Sequence, residues 1–88
     1  MPQLGADVEQ LEALSKRFKA EAQTIEQMVG KISGEIKNVW WQGLDADQFR
    51  SRWDGDFVRQ LRGVANSLQE ASSSIAAQAK AQREVSRS

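Results

Sequence analysis

From Val8 to Val39 the apolar side chains recur at alternating steps of three and four: Val8, Leu11, Phe18, Ala22, Ile25, Val29, Ile32, Ile36 and Val39. Leu4 extends the series one step upstream, and Ser15 fills its one polar place. A repeat that averages 3.5 residues keeps one stripe turned toward a partner helix, so the spacing predicts a helix over about 4–41 with left-handed knobs-into-holes packing. Leu14 and Met28 each precede a stripe position and widen it. A second stripe runs through Ala46, Phe49, Trp53, Phe57, Leu61, Val64, Leu68, Ala71, Ile75 and Ala79, which predicts a helix over about 45–82. Its consecutive four-residue steps from Phe49 to Leu61 interrupt the repeat and predict local unwinding around Trp53 to Leu61. Beyond Leu68 the stripe thins to Ala71, Ile75 and Ala79, with Ser72, Ser73 and Ser74 running through it. Small side chains bury little area, so this end is expected to be the weakest, followed by a polar, flexible tail over 83–88.

Between the stripes lies Val39-Trp40-Trp41-Gln42-Gly43-Leu44-Asp45. The expected bend is residues 42–44. Gly43 suits a left-handed position just past a helix end, and Leu44 would then touch Val39 in a Schellman ending. Asp45 is expected as the next N-cap, Gln48 three residues on as in a capping box, and Leu44 stapled onto Phe49. At 1.5 Å per residue the two segments make rods of roughly 55 Å each, folded back antiparallel. The seam of this hairpin and of any partner is expected at Leu11, Phe18, Ile25, Val29, Ile32, Ile36, Trp53, Phe57, Leu61 and Leu68. Two helices share one line of contact, and these stripes are wider than that. With Trp41, Phe49, Trp53 and Phe57 concentrated near the bend, a lone hairpin would leave much apolar surface wet. Pairing into a four-helix bundle of two chains follows. The seam carries no buried charge that would reject self-pairing, which points to a homodimer, with a related hairpin as the other possible partner.

Off the seam, Gly30 and Gly34 form a Gly-x-x-x-Gly spacing among lysines and glutamates, which does not fit a membrane dimer face. Arg50 with Asp54 and Arg52 with Asp56 fall at i,i+4 and are expected as solvated pairs.

Composition narrows the function more than the fold. The 88 residues are 40% hydrophobic and 27% charged, which allows one small domain spanning 1–88. Twelve basic and twelve acidic residues leave a formal net charge of zero, so no long-range field attracts a nucleic-acid backbone. No cysteine, histidine or tyrosine occurs, which removes most catalytic devices. Asp45, Asp47, Asp54 and Asp56 cluster near the bend and could in principle serve as paired carboxylates, but a dipole-favoured helix start accounts for the first two and arginines flank the others. No phosphate loop, EF-hand or zinc spacing is present, so neither enzymatic activity nor a cofactor or metal is expected. No apolar run approaches a membrane span, the first residues do not read as a cleavable signal peptide, and the polar faces are not lysine-rich, so stable membrane insertion is not expected.

Trp41-Gln42-Gly43 at mid-chain, between two long helical segments, resembles the Trp-x-Gly (WXG) family of small ESAT-like type VII secretion proteins. The resemblance extends over essentially the whole chain. It implies a helical hairpin, paired with itself or with a related hairpin in a four-helix bundle, and exported by or with a membrane ATPase of an ESX-like machine. It further implies secretion from the cytoplasm, without a cleavable signal, by a Gram-positive bacterium. The family's bend tryptophan and glycine fall at Trp41 and Gly43. The sequence departs from the family in one respect: a Tyr-x-x-x-Asp/Glu export motif commonly follows the second helix, and no tyrosine is present. A non-exported cytosolic coiled-coil adaptor or structural dimer is the alternative reading.

Overall fold

The computed structural model describes residues 5–87, and these are helical with no strand. Three α-helices and one π-helical turn follow in the order α1 (Val8–Asn38), α2 (Leu44–Arg52), the π turn (Trp53–Phe57) and α3 (Val58–Arg87). With the only proline at position 2, no helix interior is interrupted by it. Asp7 starts α1, its carboxylate accepting from the Gln10 amide at 3.0 Å. The backbone stays right-handed helical through Arg52, Trp53 and Val58, so α2, the π turn and α3 form one continuous rod. This rod runs antiparallel to α1, as the cross-links between them show: Glu12 with Arg83, Ser15 with Ser72, Glu26 with Arg62, and Ser33 with Trp53. The molecule measures 66 × 20 × 17 Å.

Small side chains form the line of closest contact. Ser15, Ala22 and Val29 of α1 meet Val58, Ala65, Ser72 and Ala79 of α3, each set spaced by sevens, and Ala46 of α2 is buried as well. Among the described residues nothing larger than valine is buried. Narrow side chains on this line let two helices approach closely, and larger ones are displaced to the flanks.

Several expectations are corrected. α1 ends at Asn38, three residues early, because Val39 is already extended (φ −71°, ψ 134°). Gly43 is therefore not the residue after a helix end but the N-cap of α2 (φ 123°, ψ 178°). Asp45 lies inside the first turn of α2 and does not cap it, and no side chain caps this helix, Gln48 included. Leu44 and Val39 are 71% and 55% exposed, so neither the Schellman contact nor the staple onto Phe49 forms. The helix also does not end near residue 82; α3 runs on to Arg87, helped by the ion pair of Arg83 with Glu12. Leu4 and Ser88 lie outside the described residues.

The break in the repeat takes the form of the π turn. It holds one residue more per turn, so the stripe resumes one position later than the four-residue steps indicate. Val58, Ala65 and Ser72 occupy the contact line, Val64 is 50% exposed, and Ala71 is half-buried. Neither expected i,i+4 ion pair forms: Arg50 bonds carbonyls across the bend, Asp56 bonds Arg59 at 3.0 Å, and the Arg52 guanidinium carbon lies 5.1 Å from the Phe57 ring centroid.

Candidate functional site

The bend is organised by a side chain that pattern reading assigned elsewhere. Arg50 points back across the connection between α1 and α2. Its guanidinium donates to the Trp41 carbonyl at 2.9 Å and lies 3.4 Å from the carbonyls of Ile36 and Val39. The last carbonyls of a helix lack intrahelical partners and carry the negative end of its dipole, so a forked cation there satisfies several acceptors at once. The same arginine lies 5.9 Å from the Trp41 ring centroid, and Trp41 packs against Phe49 at 5.5 Å with the planes tilted by 46°. Trp41 is consequently 39% exposed, whereas Trp40 beside it is 86% exposed. Gly43 has the positive φ and extended ψ that side-chain-bearing residues avoid, which turns the chain from the connection into α2. The structure thus brings Trp41 together with Phe49 and Arg50, leaves the space around Gly43 open, and keeps Val39, Leu44, Asp45 and Gln48 exposed.

The second feature is one long face of the hairpin. Of the expected seam, Val29 is buried, while Leu11, Phe18, Ile25, Ile32, Ile36, Trp53, Phe57, Leu61 and Leu68 are half-buried. At 100° per residue the large side chains of α1 fall to one side of the contact line, and in the antiparallel rod Phe57, Leu61, Val64, Leu68 and Ile75 fall to that same side. The opposite side carries the charges, with Arg62 3.7 Å from Glu26 and Arg83 on Glu12. The hairpin is therefore two-faced: a polar side, a dry line of small residues, and an open apolar side. Trp53 is the exception among the seam residues, because the π turn sends its indole N–H to the Ser33 hydroxyl at 2.9 Å.

Among the described residues, no group of acidic or other ligating side chains is placed to hold a metal ion, and no helix is long and apolar enough to cross a membrane. The acidic cluster splits up: Asp45 and Asp47 occupy the first turn of α2 and Asp56 is held by Arg59. Sequence reasoning missed Arg50, Val58, Ala65 and the structural role of Ser72. The seven-residue spacing of Val58, Ala65, Ser72 and Ala79 is visible in the sequence; the π turn that selects it over Val64 and Ala71 is not. No protein-family model, curated protein or solved structure matches the chain.

Proposed function

We propose that the chain is a non-enzymatic helical hairpin that acts as a folded pair, as a type VII (ESX-like) secretion substrate or co-exported partner. The open apolar face carries this reading. A hairpin that among its described residues buries nothing larger than valine, and turns Leu11, Phe18, Ile25, Phe57, Leu61 and Leu68 to one half-covered side, has a surface for another hairpin. A second copy is the simplest occupant, and a related hairpin is the other. The Trp-x-Gly resemblance, with Trp41 held between Phe49 and Arg50 and Gly43 in a conformation that favours glycine, supplies the link to export. In the exporting cell the folded pair is recognised by the secretion ATPase through helix surfaces and ends.

Immunoblotting culture supernatants of the producing bacterium with and without its secretion ATPase tests this. Export that depends on the ATPase is the expected result. Retention in the cytosol in both strains would replace the reading with that of a cytosolic adaptor dimer.

A further inference from the structure

The polar side of the hairpin holds a groove between α1 and α3 whose charge is not balanced from within the chain. Ser15, Lys16, Lys19, Ser72, Ser73 and Ala76 line its middle, and it continues past Lys16 and Ala76 to Lys80. An ion pair between the helices brackets it at either end, Arg83 with Glu12 and Arg62 with Glu26. From Glu12 to Glu26 the rise of 1.5 Å per residue gives a groove of roughly 21 Å, about four helical turns. Among the described residues every ion pair engages an arginine, and Lys16, Lys19 and Lys80 are exposed without one. Glu12, the carboxylate that shares the groove with them, is held by Arg83. Glu9 lies beyond that bracket, and at 100° per residue Glu70 faces outward from α3. Three ammonium groups thus surround a trench floored by Ala76 and the serine pair. They repel one another there, and carboxylates brought from outside would relieve this.

We propose that this groove docks an acidic helix of a partner protein, whose glutamates or aspartates, one turn apart, meet Lys16, Lys19 and Lys80. Lys16 and Lys19 are themselves one turn apart on α1, so carboxylates at i,i+3 or i,i+4 of a helix laid alongside match their spacing. A helix also keeps its own backbone hydrogen-bonded in the groove, which an extended segment does not. The small side chains of Ser73 and Ala76 leave room for it to approach α3, and Ser73 and Gln69 are exposed there as neutral hydrogen-bonding groups. The groove lies on the side away from the open apolar face, so it stays free when that face is covered, and it serves an exported and a retained protein alike.

The probe is a fluorophore-labelled, alanine-based helical peptide with glutamates spaced one turn apart, titrated with the full chain at low salt and followed by anisotropy. Binding is the expected result, and it should weaken as salt is added. It should fall by about tenfold or more when glutamines replace the glutamates, or when Lys16→Gln, Lys19→Gln and Lys80→Gln are combined, because several charge pairs are lost at once. The three lysines are exposed and unpaired, so the combined variant should keep the parent circular dichroism spectrum. Lys31→Gln, on the outer side of α1, should leave binding unchanged. Reversal by Lys16→Glu with Lys19→Glu should move the preference to a lysine version of the peptide. A glutamate peptide that does not bind, a glutamine peptide that binds equally, or a loss at Lys31→Gln as large as that of the combined variant would overturn the proposal. So would unstructured polyglutamate or inorganic polyphosphate that binds as tightly and is released by the same three replacements, since the groove would then take any polyanion.

Discussion

Ser15 and Ser72 exchange hydrogen bonds across the hairpin: the Ser15 hydroxyl donates to the Ser72 carbonyl at 2.9 Å and the Ser72 hydroxyl donates to the Ser15 carbonyl at 2.8 Å. Both side chains are buried, with their oxygens 3.1 Å apart. A polar pair in an otherwise apolar line fixes which residue of α1 faces which residue of α3, because a slip of either helix would bury both hydroxyls without partners.

The first prediction follows from that reciprocity. Ser15→Ala and Ser72→Ala each remove one hydroxyl and leave its partner carbonyl without that bond, at a cost of about 1 kcal/mol each. The two hydroxyl oxygens lie 3.1 Å apart, so removing one also changes the surroundings of the other, and the double replacement should depart from the sum of the two by a coupling of at least about 0.5 kcal/mol. Denaturant unfolding of the three variants measures this, and strictly additive losses would show that the two serines act independently.

Arg50 carries the second prediction. Its fork spans the carbonyls of Trp41, Ile36 and Val39, and only a planar, multiply donating cation reaches them together. Arg50→Lys keeps the charge and loses the fork, so it should destabilise the chain by about 1–2 kcal/mol, nearly as much as Arg50→Met. Trp41 would lose one of its two ring neighbours, and acrylamide quenching of its fluorescence, read in a Trp40→Phe, Trp53→Phe background, should rise. A lysine variant that melts with the parent chain would show that point charge alone suffices.

The third prediction separates glycines by backbone. Gly43 has φ 123° and ψ 178°, a combination almost confined to glycine, although the space around it is open. Gly43→Val should therefore cost about 1–3 kcal/mol through backbone strain, with no clash involved. Gly30 and Gly63 are helical, exposed and equally unobstructed, so Gly30→Ala and Gly63→Ala should each raise stability by about 0.5–1 kcal/mol. Melting temperatures that moved in the same direction at all three positions would contradict this assignment.

How far the sequence carried the fold depends on which interactions are periodic. Two long amphipathic helices were legible because the stripe from Val8 to Ile36 recurs without interruption, and burial follows it at Ser15, Ala22 and Val29. The helix end was misplaced because Gly43 satisfies a demand for positive φ that two different structures share: the residue after a helix, and an unusual N-cap. Nothing in the residue types at Val39 to Gln42 announces that the chain leaves the helix at Asn38. Arg50 was paired by spacing with Asp54, but the unsatisfied carbonyls at the end of α1 lie across the bend, where spacing along the chain carries no information. The unwinding around Trp53 was legible as an interruption of the repeat; its form, a single π turn, followed only from the structure.

That π turn gives the last prediction. Ala46 and Val58 are both buried, on either side of it. In an unbroken α-helix at 100° per residue their spacing would leave them about 120° apart, and the extra residue held by the π turn brings them back to within about 20°. Gly55 lies within the turn, exposed and with no neighbour that an added Cβ would meet. Deleting Gly55 should convert the turn to regular α-helix while keeping both buried positions on the contact line, so stability should hold or rise by up to about 1 kcal/mol as a poor helix former is lost. Inserting one alanine after Gly55 should do the opposite, rotating Ala46 and its neighbours about 100° away from α1 and lowering the melting temperature. Circular dichroism melts of the two variants decide the matter: a deletion that unfolds as readily as the insertion would mean that the π turn itself, with the Trp53 indole on Ser33, is what holds the rod against α1.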